Sequence, residues 1–143
     1  MLELQSDFWR TEADYRCITT NGALRINKRA IMGAGIAQQA RSRFPELEVT
    51  LGKLILEHGN HVHLLGHNLI SFPTKVHWNL NSDLDLIMRS ARELVTLVNS
   101  LPDAKRVLMT RPGCGMGKLS WPVVRMSIAP ILDDRFIVVY KRE

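Results

Sequence analysis

Two glycine-rich segments of this chain have a composition that suits phosphate binding. One is Met-Gly-Ala-Gly-Ile-Ala at Met32–Ala37, and the other is Pro-Gly-Cys-Gly-Met-Gly at Pro112–Gly117. Each leads into a predicted helix, whose first N–H groups are unpaired and lie at the positive end of the helix dipole. A single Gly-x-Gly is equally compatible with a structural turn, and the first segment lacks the third glycine of the dinucleotide-binding fingerprint. Two such loops favour a ligand with two phosphates, or with a phosphate and a sugar.

One lysine stands at the end of a predicted strand, in the run Phe-Pro-Thr-Lys-Val-His-Trp at Phe72–Trp78. Lys75 has His77 and Trp78 close beside it in the sequence. One interpretation is a surface lysine in a loop with a single aromatic anchor. The other is a lysine directed into a cleft, where its amine acts as a cation, a base or a nucleophile.

The histidines and cysteines suggest two further chemistries. His61 and His63 alternate on a predicted strand and therefore share a face, but no acidic or cysteine partner has the spacing of a zinc site, so we predict no metal. Cys114 is either a nucleophile at a helix start or a small packed residue, and the second interpretation is favoured. Cys17 and Cys114 are the two cysteines of the chain, which gives no disulfide framework and indicates a reducing cytoplasm.

An alternating series of strands and helices must position these residues. Hydrophobic periodicity, caps and turn signals predict the elements. Gly66-His67-Asn68 reads as a hairpin turn, and Ser82 is predicted to cap the longest helix, whose buried stripe is Leu84, Ile87, Ala91, Leu94 and Val98. The predicted strands cover residues 16–20, 61–65, 69–73, 106–110 and 135–140, and the predicted helices cover 38–44, 47–57, the helix after Ser82, and about 121–132.

This alternation predicts an α/β fold with a central mixed sheet. The length of 143 residues fits one domain, spanning 1–143. Ligands of open α/β sheets bind beyond the carboxyl ends of the strands. Residues 21–35, 74–78 and 111–117 fall at such ends, so we expect the two glycine loops and the lysine to meet in one site.

Charge and hydropathy limit the classes of partner. The formal net charge is +5, from 19 Lys and Arg against 14 Asp and Glu. A basic balance attracts anions such as nucleic acid, dinucleotides and phosphorylated metabolites, although a mildly basic protein without such a partner has the same charge. Apolar runs stay well below the roughly 18 residues of a membrane span, and the first ten residues do not resemble a signal peptide. We therefore expect a cytoplasmic protein without a membrane partner.

Together these segments resemble the macro domain family over nearly the whole chain. Ser6–Trp9 is similar to the family's Gly-Asp-x-x start, with serine in place of glycine, and the two glycine segments are similar to its two phosphate loops. The resemblance implies a three-layer fold, a central mixed sheet flanked by helices, that binds ADP-ribose. It puts Asp7 on the adenine, an asparagine on the distal ribose, and the last strand near the adenine. The implied ligand-binding residues are Asp7, Asn21, Asn27, Met32, Gly33, Ala34, Gly35, Ile36, Gly113, Cys114, Gly115, Met116, Gly117 and Tyr140.

The motifs are most similar to one branch of the family. That branch contains the DNA ADP-ribosyl glycohydrolase antitoxins of the DarT/DarG type and the terminal ADP-ribose protein glycohydrolase. Its lysine matching Lys75 is catalytic, so the resemblance implies hydrolysis of ADP-ribosyl linkages on DNA or protein, without a cofactor. A cognate ADP-ribosyltransferase toxin is an implied partner. The terminal ADP-ribose protein glycohydrolase has a catalytic aspartate where this chain has Gly117, so only a lysine-centred scheme carries over.

Several functions remain open at this level. Lys75 would either attack the anomeric carbon, forming an imine, or assist departure of the leaving group electrostatically. A module that binds ADP-ribose without chemistry and an ADP-ribose 1''-phosphate phosphatase are the alternatives within the family. A general nucleic-acid-binding domain is disfavoured because no aromatic platform is interleaved with Lys and Arg.

Overall fold

A computed structural model describes residues 1–141, which form one six-stranded sheet and four helices. The strands are β1 (Leu2–Gln5), β2 (Tyr15–Asn21), β3 (His63–Gly66), β4 (Leu69–Lys75), β5 (Val107–Met109) and β6 (Phe136–Tyr140). The helices are α1 (Gly35–Arg43), α2 (Leu47–His58), α3 (Leu84–Asn99) and α4 (Trp121–Ile128).

The strand order in the sheet is β1-β6-β5-β2-β4-β3. The first five of these strands are parallel to their neighbours, and β3 pairs antiparallel with β4 at one edge. The predicted mixed sheet is therefore confirmed. Because the five parallel strands run in one direction, their carboxyl ends lie along a single edge of the sheet.

Helices cover both faces of the sheet, since successive strand residues point to opposite sides. In β2, Cys17 packs in the cluster that contains the buried residues of α3 and α4, whereas Ile18 packs in the cluster that contains those of α1 and α2. In β6, Val138 and Val139 divide between the same two clusters. The result is the expected three-layer α/β arrangement, with the sheet as its buried middle layer.

The sequence pattern did not predict β1. All four residues of Leu2–Gln5 are exposed, so the strand shows no alternation of buried and exposed positions. It forms by parallel pairing with β6, for example Leu2 with Ile137, across almost the whole length of the chain. The sequence Leu-Glu-Leu-Gln does alternate apolar and polar residues, but four residues give only a weak local signal, and the pairing itself depends on tertiary structure.

Several predicted boundaries are wrong by one to four residues, for example the last helix, which ends at Ile128 and not near residue 132. The N-cap of α3 is Asp83 rather than Ser82, because the Asp83 carboxylate accepts hydrogen bonds from the Asp85 and Leu86 N–H groups at 3.0 and 3.2 Å. The strand predicted from residue 61 begins at residue 63 as β3, and the Val62 N–H before it donates to Glu93 Oε1 at 3.0 Å.

Among the helices of residues 1–141, none combines the length and the apolar character that crossing a bilayer requires.

Candidate functional site

A cavity of about 1020 Å³ lies along the carboxyl edge of the sheet. This volume is at the upper end of the range for small-molecule sites, roughly 300–1000 Å³. Both glycine loops, the end of β4 and the segment after β1 form its walls. Of the sequence-predicted site residues, those that line it are Asp7, Asn21, Gly33, Ala34, Gly35, Ile36, Lys75, Gly113, Cys114, Gly115, Met116, Gly117 and Tyr140.

Asn27 and Met32 lie outside this lining. Asn27 is exposed on the hairpin between β2 and α1, where its Oδ1 accepts a hydrogen bond from the Arg29 N–H at 3.1 Å. Met32 is only 1% exposed and packs beneath the first loop, in the cluster under α1 and α2. Asn27 lies near the first glycine segment in sequence and Met32 is its first residue, but neither side chain reaches the cavity.

The cavity is elongated because its walls follow different strands. Asp7 lies just after β1, and Lys75 is the last residue of β4. These strands are four inter-strand steps apart in the sheet, which at about 4.8 Å a step is roughly 19 Å. The segments that contain the two glycine loops follow β2 and β5, which are adjacent strands between those ends. The cavity thus has a carboxylate end, a central glycine section and a lysine end.

The glycines of the two loops serve two different purposes. A Cβ on Gly33 or Gly115 would meet no protein atom within 4 Å, so packing does not require glycine at either position. A Cβ on Gly117 would overlap Ser82 Oγ and the Gly113 carbonyl, and Gly113 itself has φ +78°. Gly113 and Gly117 therefore shape the second loop, whereas Gly33 and Gly115 leave space that a closely approaching ligand can use.

The backbone of Lys75 is held by hydrogen bonds, whereas its side chain has no protein partner in residues 1–141. Its carbonyl accepts a hydrogen bond from Asn60 Nδ2 at 3.1 Å, and its position in β4 pairs with Asn21 in β2. The half-buried side chain makes no hydrogen bond or ion pair with any residue of 1–141. The structure thus holds a primary amine at the rim of the cavity without a protein partner.

The Asn21 side chain shapes the chain that follows it. Its Nδ2 donates to the Ile31 carbonyl at 3.0 Å, and its Oδ1 accepts from the Ala23 N–H at 3.0 Å. These bonds close the base of the segment between β2 and α1. One amide hydrogen and one lone pair remain for a ligand.

Asp7 is an ionised acceptor at the other end of the cavity. Its Oδ1 accepts from the N–H groups of Trp9 and Arg10 at 3.0 and 3.1 Å. The backbone hydrogen bond from Arg10 lowers the pKa of Asp7 below its ordinary value, with further help from Trp9. Its Oδ2 has no partner among residues 1–141 and is available to a donor on a ligand.

Sequence reasoning missed several cations of the site. Arg111, Lys118 and Lys141 line the cavity together with Lys75, whereas Asp7 is the one acidic residue in the described lining. The Arg111 guanidinium lies over the Tyr140 ring at 4.4 Å and faces Trp121 at 5.4 Å. The position of Arg111 two residues after β5 was the available signal. This excess of positive charge suits an anionic ligand.

Cys114 does not have the environment of an activated nucleophile. Burial raises the pKa of its thiol, and the nearby Arg111 offsets this only in part. A reactive cysteine requires a lowered pKa. The thiol instead contacts the Pro112 carbonyl at 3.5 Å, as a packed residue would.

The histidines are distributed among separate contacts. His61 Nδ1 lies 2.8 Å from Glu93 Oε2, His63 Nε2 lies 3.0 Å from the Gly59 carbonyl, and His67 Nε2 lies 2.5 Å from Glu46 Oε1. Within the part of the chain that the structure describes, no three His, Cys, Asp or Glu side chains are grouped to share a metal ion.

The fold and the cavity define a class of protein: an α/β domain with an elongated, positively charged cleft at the carboxyl edge of its sheet. No family model matches the sequence. The chain is 32% identical, over 129 residues and 80% of its length, to the DNA ADP-ribosyl glycohydrolase of Mycobacterium tuberculosis, and 24% identical over 119 residues to that of Thermus aquaticus. It spans only 36% and 32% of those two proteins.

Solved structures extend this similarity to the whole chain. The macrodomain of M. tuberculosis DarG superposes with a TM-score of 0.81 at 26% identity, covering 100% of this chain and 99% of that one. The macrodomain of T. aquaticus DarG has a TM-score of 0.78 at 22% identity, covering 99% and 97%. The Thermosipho africanus DarTG in complex with ADP-ribose has a TM-score of 0.77 at 18% identity and matches over 40% of its length. The chain therefore has the macro domain fold, and the proteins to which it is similar include the macro domains of two DarG proteins.

Proposed function

We propose that the cleft binds ADP-ribose, with the diphosphate between the two glycine loops. The observation that carries this proposal is the empty space beside Gly33 and Gly115, midway along a cleft of roughly 19 Å whose charge is positive. N–H groups of glycine loops can approach phosphate oxygens closely only where no Cβ intervenes. Arg111 and Lys118 would neutralise the two phosphate charges from the cavity wall.

The two ends of the cleft suit the two ends of this ligand. In the proposal, Asp7 Oδ2 accepts a hydrogen bond from the adenine amino group, and the Tyr140 ring lies alongside the base. Asn21 uses its remaining amide hydrogen on a hydroxyl of the distal ribose. The anomeric carbon of that ribose would then lie near Lys75.

We infer that the chain hydrolyses the bond between the distal ribose and a modified base or carboxylate. In one scheme, neutral Lys75 Nζ attacks the anomeric carbon, the glycosidic bond breaks, and the leaving group departs with a proton from the amine. The bond between the anomeric carbon and the ring oxygen then breaks, the ring oxygen takes the second amine proton, and an imine forms. Water hydrolyses this imine, which releases ADP-ribose and restores the amine. In the other scheme, the Lys75 ammonium stabilises the departing group while water attacks directly. The relatives named DNA ADP-ribosyl glycohydrolase favour DNA as the modified molecule.

A carboxylate-assisted scheme has little support in this chain. Asp7 is the acidic residue of the described lining, and it lies four strand positions from Lys75. An aspartate in place of Gly117 would meet Ser82 and Gly113. This shortage of acid also favours the second candidate function, an ADP-ribose-binding module that performs no chemistry.

Calorimetry with ADP-ribose tests binding, and release of ADP-ribose from modified DNA and from modified carboxylates tests hydrolysis. We expect Lys75→Ala to lower kcat by at least about a hundredfold while ADP-ribose still binds. Lys118→Ala is the matched control: it removes another lysine of the same cleft and should weaken binding more than it slows turnover. Wild-type activity in Lys75→Ala would overturn the role of Lys75. If the wild type binds ADP-ribose but releases none from either substrate, hydrolysis is refuted and the non-catalytic binding module is the remaining function.

Lys75→Arg separates the two schemes. Arginine keeps the positive charge but does not act as an amine nucleophile. Partial activity in this variant supports electrostatic assistance. Loss of activity, together with a borohydride-trapped adduct at Lys75 of the wild type, supports the imine.

The proposed biological partners follow from the reaction. They are ADP-ribosylated DNA or protein, and a cognate ADP-ribosyltransferase toxin whose product the chain would remove. We propose that the chain acts in the reducing cytoplasm, with 1–143 as one macro domain.

A further inference from the structure

The turn that contains Asp7 is bonded to the middle of the sheet by an arginine. We call residues 6–11, which follow β1, the aspartate turn. Arg16 lies in β2, and its Nε donates to the Phe8 carbonyl at 2.9 Å. Its Nη2 donates to the Trp9 carbonyl at 3.3 Å. One side chain of β2 therefore holds successive carbonyls of the aspartate turn.

Arg16 and Asp7 hold the same two peptide groups from opposite ends. The Phe8 carbonyl and the Trp9 N–H belong to one peptide group, and the Trp9 carbonyl and the Arg10 N–H belong to the next. The carbonyls accept from Arg16, whereas both N–H groups donate to Asp7 Oδ1, at 3.0 and 3.1 Å. The carbonyl and the N–H of a trans peptide point in opposite directions. The guanidinium and the carboxylate are thus connected through two peptide groups, and hydrogen bonds in such a series polarise one another.

The anchor of the aspartate turn lies in a better-supported part of the sheet than the turn itself. The turn follows β1, an edge strand whose four residues are all exposed. In β2, by contrast, Arg16 pairs with Leu69 of β4 on one side and with Leu108 of β5 on the other. Core strands open far less readily than edge segments and turns. Arg16 therefore extends the order of the sheet centre to the segment that contains Asp7.

The bonding of Arg16 is devoted to this turn. Its third acceptor is the Thr11 carbonyl, and in the described part of the chain no carboxylate pairs with it. Burial, and then the charge of nearby Arg43, lower the pKa of Arg16, although a guanidinium stays charged in proteins. A half-buried cation without an acid needs other acceptors, and here these are backbone carbonyls of the aspartate turn. Charge-assisted bonds of this kind are the stronger ones, so they fix the carbonyls well.

We propose that Arg16 is a positioning residue for base recognition: it fixes the two peptide groups that orient the Asp7 carboxylate, so that this carboxylate selects a base with an exocyclic amino group. Arg16 is not part of the cavity lining, whereas Asp7 is, so Arg16 acts through Asp7. An ionised carboxylate only accepts hydrogen bonds, so it pairs with an amino group and is repelled by a keto oxygen in the same place. The inference rests on the proposed function, in which Asp7 Oδ2 meets the adenine amino group.

The test compares two ligands that differ at this group of the base. Inosine diphosphate ribose keeps the diphosphate and both riboses of ADP-ribose but has a keto oxygen in place of the amino group. Arg16→Lys keeps the charge and loses the planar fork of donors, and Arg16→Gln avoids placing an ammonium in a half-buried position. Arg106→Lys is the matched control, because Arg106 Nε donates to the Glu12 carbonyl at 2.6 Å, just outside the aspartate turn. Calorimetry gives both affinities for each protein.

We expect the wild type to bind ADP-ribose at least about tenfold more tightly than inosine diphosphate ribose, since a hydrogen bond to a charged group discriminates by this order. In both Arg16 variants the ratio of affinities should fall to about threefold or less, through weaker binding of ADP-ribose. Arg106→Lys should keep the wild-type ratio. A general loss of stability reduces the folded fraction for both ligands alike and leaves the ratio unchanged.

Amide hydrogen exchange, measured by NMR without ligand, tests the physical link directly. The Trp9 and Arg10 amide hydrogens should exchange at least about tenfold faster in the Arg16 variants, because their peptide groups lose one of their two anchors. The amide hydrogens of β4 and β5 should exchange as in the wild type. In Arg106→Lys the Trp9 and Arg10 amide hydrogens should keep their wild-type exchange rates.

The outcomes separate this inference from the proposed function. If the wild type prefers ADP-ribose and both Arg16 variants keep that preference, or if Arg106→Lys loses as much, the positioning role is refuted while recognition of adenine by Asp7 stands. If neither Arg16 variant folds, the role is also refuted, because the whole fold then requires Arg16. A wild type that binds both ligands equally refutes the contact between Asp7 and adenine, and this inference with it. A wild type that binds neither ligand refutes the proposed function itself.

Discussion

Glycine is one residue type in this cleft, but it has two physical roles. At Gly117 any side chain would collide with Ser82 and with the carbonyl of Gly113, so the fold itself requires glycine. At Gly115, two positions earlier, a methyl group would enter open space. The sequence shows the same letter at both positions, and only the surroundings distinguish a structural glycine from one that leaves room for a ligand.

Alanine substitutions of these two glycines should therefore have opposite effects. We expect Gly115→Ala to leave the unfolding temperature nearly unchanged and to weaken ADP-ribose binding by about 1–3 kcal/mol, because its methyl group occupies ligand space. We expect Gly117→Ala to lower the free energy of unfolding by about 1–3 kcal/mol or more, because the methyl group overlaps protein atoms. Thermal unfolding and calorimetry measure the two effects. Equal stability losses would show that Gly115 is structural as well.

The sequence predicted the residue types at the site better than it predicted their positions. Lys75 ends a buried strand, and such a position leads directly to the carboxyl edge of a parallel sheet. Met32 begins the first glycine segment, but its side chain faces the core. The packing of α1 and α2, which the local sequence does not reveal, decides this orientation. The position of Arg111 shortly after a strand was a signal, but a weak one, because single cations after strands are common and most of them have no ligand.

At the scale of elements, the residues that begin α3 connect the end of β4 with the second glycine loop. The Asp83 N–H donates to the Thr74 carbonyl at 2.9 Å, and the Ser82 N–H donates to the Gly117 carbonyl at 3.1 Å. The residues that begin the helix thus hold the end of β4 and the second glycine loop together. Ser82 Oγ is buried without a hydrogen-bond partner in residues 1–141, while the Asp83 carboxylate caps the helix.

Neighbouring substitutions test this assignment of the cap. Asp83→Ala should lower the free energy of unfolding by about 1 kcal/mol, since two N–H groups of α3 lose their acceptor. Ser82→Ala should be neutral or slightly stabilising, because it removes a buried hydroxyl that has no partner. Chemical denaturation of both variants measures the difference. A larger loss in Ser82→Ala would assign the cap to Ser82, as the sequence pattern predicted.

The long helix and the strands near the middle of the sheet were predictable because each shows a local period. The α3 stripe repeats at helical spacing, and β4 is a continuous run of buried residues up to Lys75. The edge strand β1 has only a four-residue alternation, Leu-Glu-Leu-Gln, and both of its faces are exposed, so it depends on its pairing with β6. Prediction failed where an element depends on a distant partner.

At the scale of the whole molecule, the ion pair between Asp133 and Arg135 holds the turn before β6, and this turn is bonded to β5. Asp133 accepts hydrogen bonds from Arg135 Nε at 2.9 Å and Arg135 Nη2 at 2.7 Å. The Arg135 carbonyl in turn accepts from the Val107 N–H at 2.8 Å, which links the turn to β5. The hydrogen bond from the Arg135 side chain is the main cause that lowers the pKa of Asp133 to about 2.

This lowered pKa predicts how the stability depends on pH. The stabilisation is complete above the unfolded pKa of 3.8 and is lost as pH falls towards about 2, because protonation of Asp133 removes the charge that the Arg135 guanidinium pairs with. Asp133→Asn should cost less than about 1 kcal/mol at pH 7, since the pair is exposed to solvent. Denaturation of wild type and variant from pH 7 to pH 2 should show the difference closing below pH 4. A difference that persists at pH 2 would mean that the ionised carboxylate is not its cause.

The sequence by itself determined the α/β class, the order of most elements, and the three segments that reach the carboxyl edge. These properties follow from local periodicity, turn residues and the direction of parallel strands, all of which are written in neighbouring positions. The tertiary structure alone decided the edge strand β1, the cap of α3, the cations around the cleft, and the difference between Gly115 and Gly117. Each of these depends on atoms brought together from distant parts of the chain, and such proximity leaves no local pattern in the sequence.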